Sequence, residues 1–162
     1  MNTSNPKDSF NVAKQKIAAF CAYQERCQQE VRTKLYSYGL YQDQVDEILA
    51  WLITENFLNE ERFAQTFAGG KFRVKKWGRF KITQALKQKN ISDYCIKKGM
   101  QEIAEDDYLI TIKQLVDKKI KELAPKTQNL FQLKDKTSKY IISKGFEPDL
   151  VWSVLKEIDE VS

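Results

Sequence analysis

Apolar positions between Val31 and Leu52 follow two helical spacings separated by a break. Before the break they stand four apart, at Val31 and Leu35. After it they stand at i, i+3, i+4 and i+7, at Val45, Ile48, Leu49 and Leu52. Each spacing keeps one face of an α-helix apolar. Gly39 marks the break and Leu40 follows it. The pattern returns 51 residues later as Ile82, Leu86, Asn90, Ile91, Ile96, Gly99, Met100 and Ile103. A further shift of 55 gives Thr137, Ile141, Gly145, Phe146, Val151, Val154, Leu155 and Ile158. Self-similarity with a period near fifty residues predicts a repeat architecture.

The break has a stereochemical reading. Gly39, Asn90 and Gly145 are of the two residue types that enter the left-handed conformation at low cost. As the first residue past a helix, each is followed by an apolar residue that can touch the last turn: Leu40 with Leu35, Ile91 with Leu86, Phe146 with Ile141. Ser92 is placed to cap the next helix, and Pro148 sits where a first-turn proline is tolerated. A third amphipathic stretch precedes each pair. The first runs from about Ser9 to Gln24 with Phe10, Ala13, Ile17, Phe20 and Cys21 on one face. The second opens at Asn59 as N-cap and carries Phe63, Phe67 and Val74. The third runs from about Asp106 to Leu123 with Leu109, Ile112, Val116, Ile120 and Leu123. Strand signals are absent. The expectation is an all-α protein of three tandem three-helix repeats, 1–56, 57–105 and 106–162, forming an elongated, curved array. Gly69-Gly70 falls inside the fourth helix, as a tolerated kink or a close helix contact in preference to a functional hinge. Pro125 cannot continue the seventh helix, so Ala124–Thr127 connects it to the eighth.

Composition removes most chemistry. The 162 residues contain no histidine, which excludes histidine bases, Ser-His and Cys-His catalysis, and His-ligated zinc. Cys21, Cys27 and Cys95 form no C-x-x-C pair and read as reduced packing residues. There is no Gly-rich phosphate loop. No enzyme and no cofactor are expected. The longest apolar run, Ile17 to Tyr23, is too short for a membrane span. Met1 to Phe10 is polar with no apolar signal core, so a cytoplasmic location is expected.

The net charge of +5 is concentrated. Seven basic residues face nine acidic ones from Met1 to Gly70, and twelve face thirteen from Asn90 to Ser162. The nineteen residues between hold Lys71, Arg73, Lys75, Lys76, Arg79, Lys81, Lys87 and Lys89 with no acid, interleaved with Phe72, Trp77 and Phe80. Such a stretch suits a phosphate backbone or an acidic partner, because each neutralised phosphate releases counterions and aromatics can stack on unpaired bases. The bland alternative is a solvated helix face whose Phe and Trp point into the core. Sequence-specific reading by the last helix of a repeat is disfavoured, although that of the second repeat, with Lys97 and Lys98 against Asp93 and Glu102, reads either way. The helix after Tyr41 carries Asp43, Asp46, Glu47 and Glu55, and the one after Pro148 carries Asp149, Glu157, Asp159 and Glu160, which phosphates repel.

Three segments carry a resemblance. Gln29-Glu30-Val31-x-x-Lys34-Leu35-x-x-x-Gly39-Leu40 is similar to the first repeat of RecX regulatory proteins. Phe57-Leu58-Asn59-Glu60-Glu61-Arg62-Phe63-Ala64 resembles that family's "gyLDDxxFA" segment. Trp77-Gly78-Arg79-Phe80-Lys81-Ile82-x-x-x-Leu86-x-x-Lys89-Asn90-Ile91 resembles its "kGxxrIxxeLxxKGI" motif. The order and spacing match across the whole chain. The resemblance implies a small helical modulator, most often an inhibitor, of the RecA recombinase that binds the groove of the RecA–DNA filament and acts in DNA repair, recombination and the SOS response. It also implies contact with single- or double-stranded DNA without sequence preference. Lys71, Arg73, Lys75, Lys76, Trp77, Arg79, Lys81, Lys87 and Lys89 are the candidate filament- and DNA-binding patch of a monomer. The alternatives are a general DNA binder acting without RecA and a helical scaffold for an acidic protein. The chain departs from the motifs at Cys27, where a serine cap is usual, at Asn59 and Asn90, and at Gly69-Gly70.

Overall fold

The structure, a computed structural model, describes residues 6–158. Met1–Asn5 of the polar N-terminal stretch, and Asp159 and Glu160 of the last acidic helix, lie outside the described residues. Among the described residues there are nine α-helices and no strand: α1 (Pro6–Tyr23), α2 (Gln28–Ser37), α3 (Gln42–Thr54), α4 (Glu60–Arg73), α5 (Arg79–Gln88), α6 (Asp93–Met100), α7 (Glu105–Leu123), α8 (Leu130–Ser143) and α9 (Pro148–Leu155). A 3-10 turn, Ala124–Lys126, takes up Pro125 between α7 and α8. None of these helices is long and apolar enough to cross a membrane. The accessible surface of 10,297 Å² exceeds the roughly 8,400 Å² of a compact monomer of this mass, as an extended helical array requires.

The repeat's breaks are left-handed in all three copies: φ is +84° at Gly39, +62° at Asn90 and +100° at Gly145. After α5 both Schellman bonds form, Ile91 N–H to the Leu86 carbonyl at 3.1 Å and Asn90 N–H to Lys87 at 3.0 Å. The Asn59 side chain accepts from Arg62 N–H at 2.8 Å, and Ser92 Oγ from Cys95 N–H at 3.2 Å, so both expected caps operate. Cys27, in contrast, provides no side-chain cap for α2; its Sγ donates to Glu30 Oε1 at 3.4 Å. All three cysteines are free and buried. Burial pushes the Cys21 thiol up to about 11 and raises Cys27 and Cys95 as well, which keeps them protonated and unreactive at neutral pH.

Two apolar cores form. One lies within α1–α3 around Ile17, Leu35, Ile48 and Leu52. The other is shared by α4–α9 and runs from Phe63 and Phe72 through Tyr108 to Phe146 and Leu155, with Cys27 reaching into it. Two helical faces differ from expectation. On α7 the buried line is Tyr108, Ile112 and Val116, one residue off the line begun at Leu109, and Tyr108 is fully enclosed. On α4 Phe72 is buried and Val74 is 75% exposed. Helix α4 continues unbroken through Gly69-Gly70. The close helix approach lies elsewhere, where α6 crosses α4: a Cβ on Gly99 would stand 2.7 Å from the Ala64 carbonyl oxygen.

The α5 start is capped from the third helix trio. Its N-cap, Gly78, has no side chain to offer. Instead Gly78 N–H donates to the Lys144 carbonyl at 2.8 Å and Phe80 N–H to the Gly145 carbonyl at 3.0 Å. Arg79 N–H donates to Tyr108 Oη at 3.1 Å. A Cβ on either Gly78 or Gly145 would overlap main-chain atoms of the other segment, so the approach requires both glycines.

These contacts generate two stability expectations. Gly39→Ala should cost about 1–2 kcal/mol, the strain of an L-residue in the left-handed region, since no atom lies within 4 Å of the added Cβ. Gly145→Ala meets Lys81 N at 2.6 Å besides and should cost roughly 1–3 kcal/mol more. Equal losses in denaturant midpoint would mean α5 does not rest on Gly145. Thr137, fully buried with no hydrogen-bond partner for Oγ1, stands where the other repeats have Val31 and Ile82. Thr137→Val should therefore raise stability by about 1 kcal/mol, read as a higher melting temperature.

Candidate nucleic-acid interface

The basic stretch spans the end of α4, the α4–α5 turn and the whole of α5. Lys71 and Arg73 lie in the last turn of α4, where the helix dipole favours cations. The turn contains Lys76 at φ +56°. That region favours glycine and costs an L-residue about 1–2 kcal/mol, yet a lysine occupies it. Arg73, Lys75, Lys81 and Lys87 are exposed, and Lys71 and Lys76 half-buried. None of these six pairs with a carboxylate among the described residues.

The interleaved aromatics separate into three kinds. Phe72 is core, its ring tilted against Tyr108 with centroids 5.8 Å apart. Phe80 stands 60% exposed. Trp77 is half-buried between two lysines, with Lys71 Nζ 4.9 Å and Lys81 Nζ 4.6 Å from its ring centroid. Lys71 also reaches Phe67 at 5.4 Å, and Lys89 reaches Phe67 at 5.9 Å. Lysines and rings thus alternate along one line: Lys89, Phe67, Lys71, Trp77, Lys81. Phe67 appeared in the sequence only as a core residue of α4; its partial exposure beside two lysines depends on how α4 meets α5.

A groove runs along part of this line. A cleft of about 320 Å³ between the first and second helix trios is lined by Glu25, Glu30, Phe63, Phe67, Lys71 and Lys89. It continues into one of about 230 Å³ beside Thr66, Gly70, Val74 and Lys75. Gly70 leaves this second wall low, since nothing lies within 4 Å of a Cβ position there.

Two of the eight cations are engaged elsewhere. Arg79 ion-pairs with Glu147 at 2.8 Å and with Glu105, and its guanidinium lies 3.9 Å from the Tyr108 ring centroid. Burial alone would lower its pKa; the carboxylates of Glu147 and Glu105 outweigh that and raise it. Tyr108 Oη donates to Glu147. Its own pKa rises through burial first and this carboxylate second. Lys89 pairs with Glu30 across the first junction at 3.3 Å, where Arg62 also pairs with Glu25. The compensating acids were invisible to a local charge count because they lie in other helix trios.

Arg79→Ala should therefore act on stability. It strands the Glu147 carboxylate, whose side chain is only 17% exposed, and should cost roughly 2–3 kcal/mol, somewhat below the 3–5 typical of fully buried pairs. Lys75→Ala, with no partner, should change stability by less than about 0.5 kcal/mol. Urea titrations of the two variants check the contrast.

The chain has clear relatives. Residues 59–100 match the family described as RecX, second three-helix domain. The chain is 24% identical over 154 residues to Regulatory protein RecX of Clostridium acetobutylicum, covering 94% of this chain and 71% of that protein. It is 31% identical over 150 residues to Regulatory protein RecX of Streptococcus uberis, covering 90% and 55%. It spans 62% of the length of the Clostridium perfringens relative. The crystal structure of RecX from Lactobacillus salivarius superimposes with a TM-score of 0.83 at 20% identity, covering 93% of this chain and 97% of that one, a likeness of fold. The matching second three-helix domain, the likeness along nearly the whole chain to relatives that share one name, and the shared helical fold together make this chain similar to RecX regulatory proteins.

Proposed function

We propose that this protein is a non-enzymatic regulator of the RecA recombinase that binds the RecA–DNA filament and inhibits it. The likeness to RecX regulatory proteins supports the partner. The observation that carries the binding mode is the set of six cations without carboxylate partners among the described residues, two of which, Lys71 and Lys81, flank Trp77. Unpaired cations beside partly exposed rings are what a groove built of protein and phosphate can use. The left-handed Lys76 points the same way, since a glycine there would relieve the backbone but remove a charge. The division into repeats 1–56, 57–105 and 106–162 fits this reading, with the middle repeat presenting the patch.

The test is the cognate RecA's DNA-dependent ATPase on single-stranded DNA. Inhibition is expected well below one molecule of this protein per RecA, because blocking filament growth needs few molecules whereas competition for DNA needs many. Arg73→Glu/Lys75→Glu/Lys87→Glu reverses three exposed residues and should remove inhibition while leaving the melting temperature nearly unchanged. Full inhibition by that variant would overturn the patch. No inhibition by the natural protein, with binding to bare DNA retained, would make it a DNA binder for which RecA is incidental.

A further inference from the structure

The cationic line does not stop at α5. Residues 108–146 hold nine lysines against only Asp117, Glu122 and Asp135. The excess is hidden in a charge count of the whole C-terminal segment by the acidic runs on either side. Lys119 pairs with Glu122 and Lys139 with Asp135. At the α7–α8 seam a third ring sits among lysines: Tyr140, 39% exposed, has Lys119 Nζ at 3.9 Å and Lys144 Nζ at 5.8 Å from its centroid. Lys136, Tyr140 and Lys144 stand four apart and share one face of α8 and its C-cap.

This cluster adjoins the first one. Lys144 provides the carbonyl that caps Gly78, and Gly145 lies against the main chain and Cβ of Lys81. Lys81 in turn reaches over Trp77. The segment that carries Trp77 and Lys81 therefore meets the segment that carries Tyr140 and Lys144 at the joint between the second and third helix trios.

We infer that these residues form one continuous track for a single strand of nucleic acid, with Lys136, Tyr140 and Lys144 of the third trio as its unassigned half. The inference rests on the reading of the second-trio patch as a nucleic-acid surface and extends it. Rings that alternate with flexible cations match a strand whose bases are free to stack while its phosphates meet ammonium groups. A duplex keeps its bases stacked internally and would use the lysines only. An acidic protein surface would likewise leave the rings without a role.

The experiment is fluorescence anisotropy with thymidylate oligomers of about 6 and about 24 nucleotides, lengths bracketing single-strand site sizes, for the full chain and for Lys136→Ala/Tyr140→Ala/Lys144→Ala. The variant should bind the short oligomer as the natural protein does. It should lose about tenfold or more on the long one, since stacking alone is worth about 1–3 kcal/mol per base. Its log–log salt slope on the long oligomer should become shallower by about 1.4, two phosphate contacts at roughly 0.7 each. Lys136→Gln/Lys144→Gln, which keeps the ring, should show the slope change with a smaller affinity loss; a circular-dichroism melt verifies that each variant is folded. Unchanged affinity and slope on the long oligomer would overturn the extension alone, provided Arg73→Glu/Lys75→Glu/Lys87→Glu still weakens both oligomers. If that reversal is also without effect, the underlying patch reading fails too. Normal oligomer binding with lost action on RecA would assign these lysines to a protein partner and overturn the inference, as would a natural protein that binds neither oligomer.

Discussion

Helix α5 depends on a joint it does not contain. Its first turn opens Gly78-Arg79-Phe80-Lys81, with no side-chain cap and two cations at the positive end of the helix dipole. A ten-residue helix with such a start would fray in isolation. The third trio supplies what is missing: the Lys144 and Gly145 carbonyls and the Tyr108 hydroxyl take three orphan N–H groups, and Glu147 and Glu105 neutralise Arg79. The left-handed Gly145 both ends α8 and turns its carbonyl toward α5. One residue that completes the repeat's own turn thereby fixes the neighbouring repeat, and with it the spacing of Trp77 and Lys81.

The parts of the fold written in local chemistry were legible in the sequence. Gly39, Asn90 and Gly145 announce left-handed helix ends, Asn59 and Ser92 announce caps, and i, i+4 spacing announces the helices. Each of these is settled within a few residues. Tyr108 was not legible in this way. It shares the period of Ile112 and Val116, but the choice between it and Leu109 as the inward residue depends on which face α8, α9 and α5 cover. Gly99 was likewise seen as a member of the repeat and not as the point where α6 touches the Ala64 main chain, because nothing on α6 identifies its neighbour.

The candidate site shows the same division more sharply. A nineteen-residue stretch with eight cations and no acid is plain in the sequence, and so is the presence of Trp77 within it. Which of the cations remain free is a tertiary fact. Glu147 and Glu105 lie in the third helix trio and Glu30 in the first, so the ion pairs of Arg79 and Lys89 span 68, 26 and 59 positions. Charge counts over windows misjudge such a surface in both directions. They leave Arg79 looking unpaired, and they average the lysines of α7 and α8 with acids at helix starts.

The two joints of the array also differ in kind. Between the second and third trios there is a shared apolar core, interlocked main chain and a buried tyrosine. Between the first and second there are the Arg62–Glu25 and Lys89–Glu30 pairs and the single buried Cys27. Partly exposed ion pairs add about 1 kcal/mol or less each and are screened by salt, whereas apolar burial is not. Each joint draws the cations nearest to it into structural pairs: Arg79 at one end of the patch, Lys89 and Arg62 at the other. The free positive surface around Trp77 is what lies beyond reach of both sets of carboxylates. Its position at the α4–α5 turn thus follows from where the neighbouring helix trios place their acids as much as from where this one places its lysines.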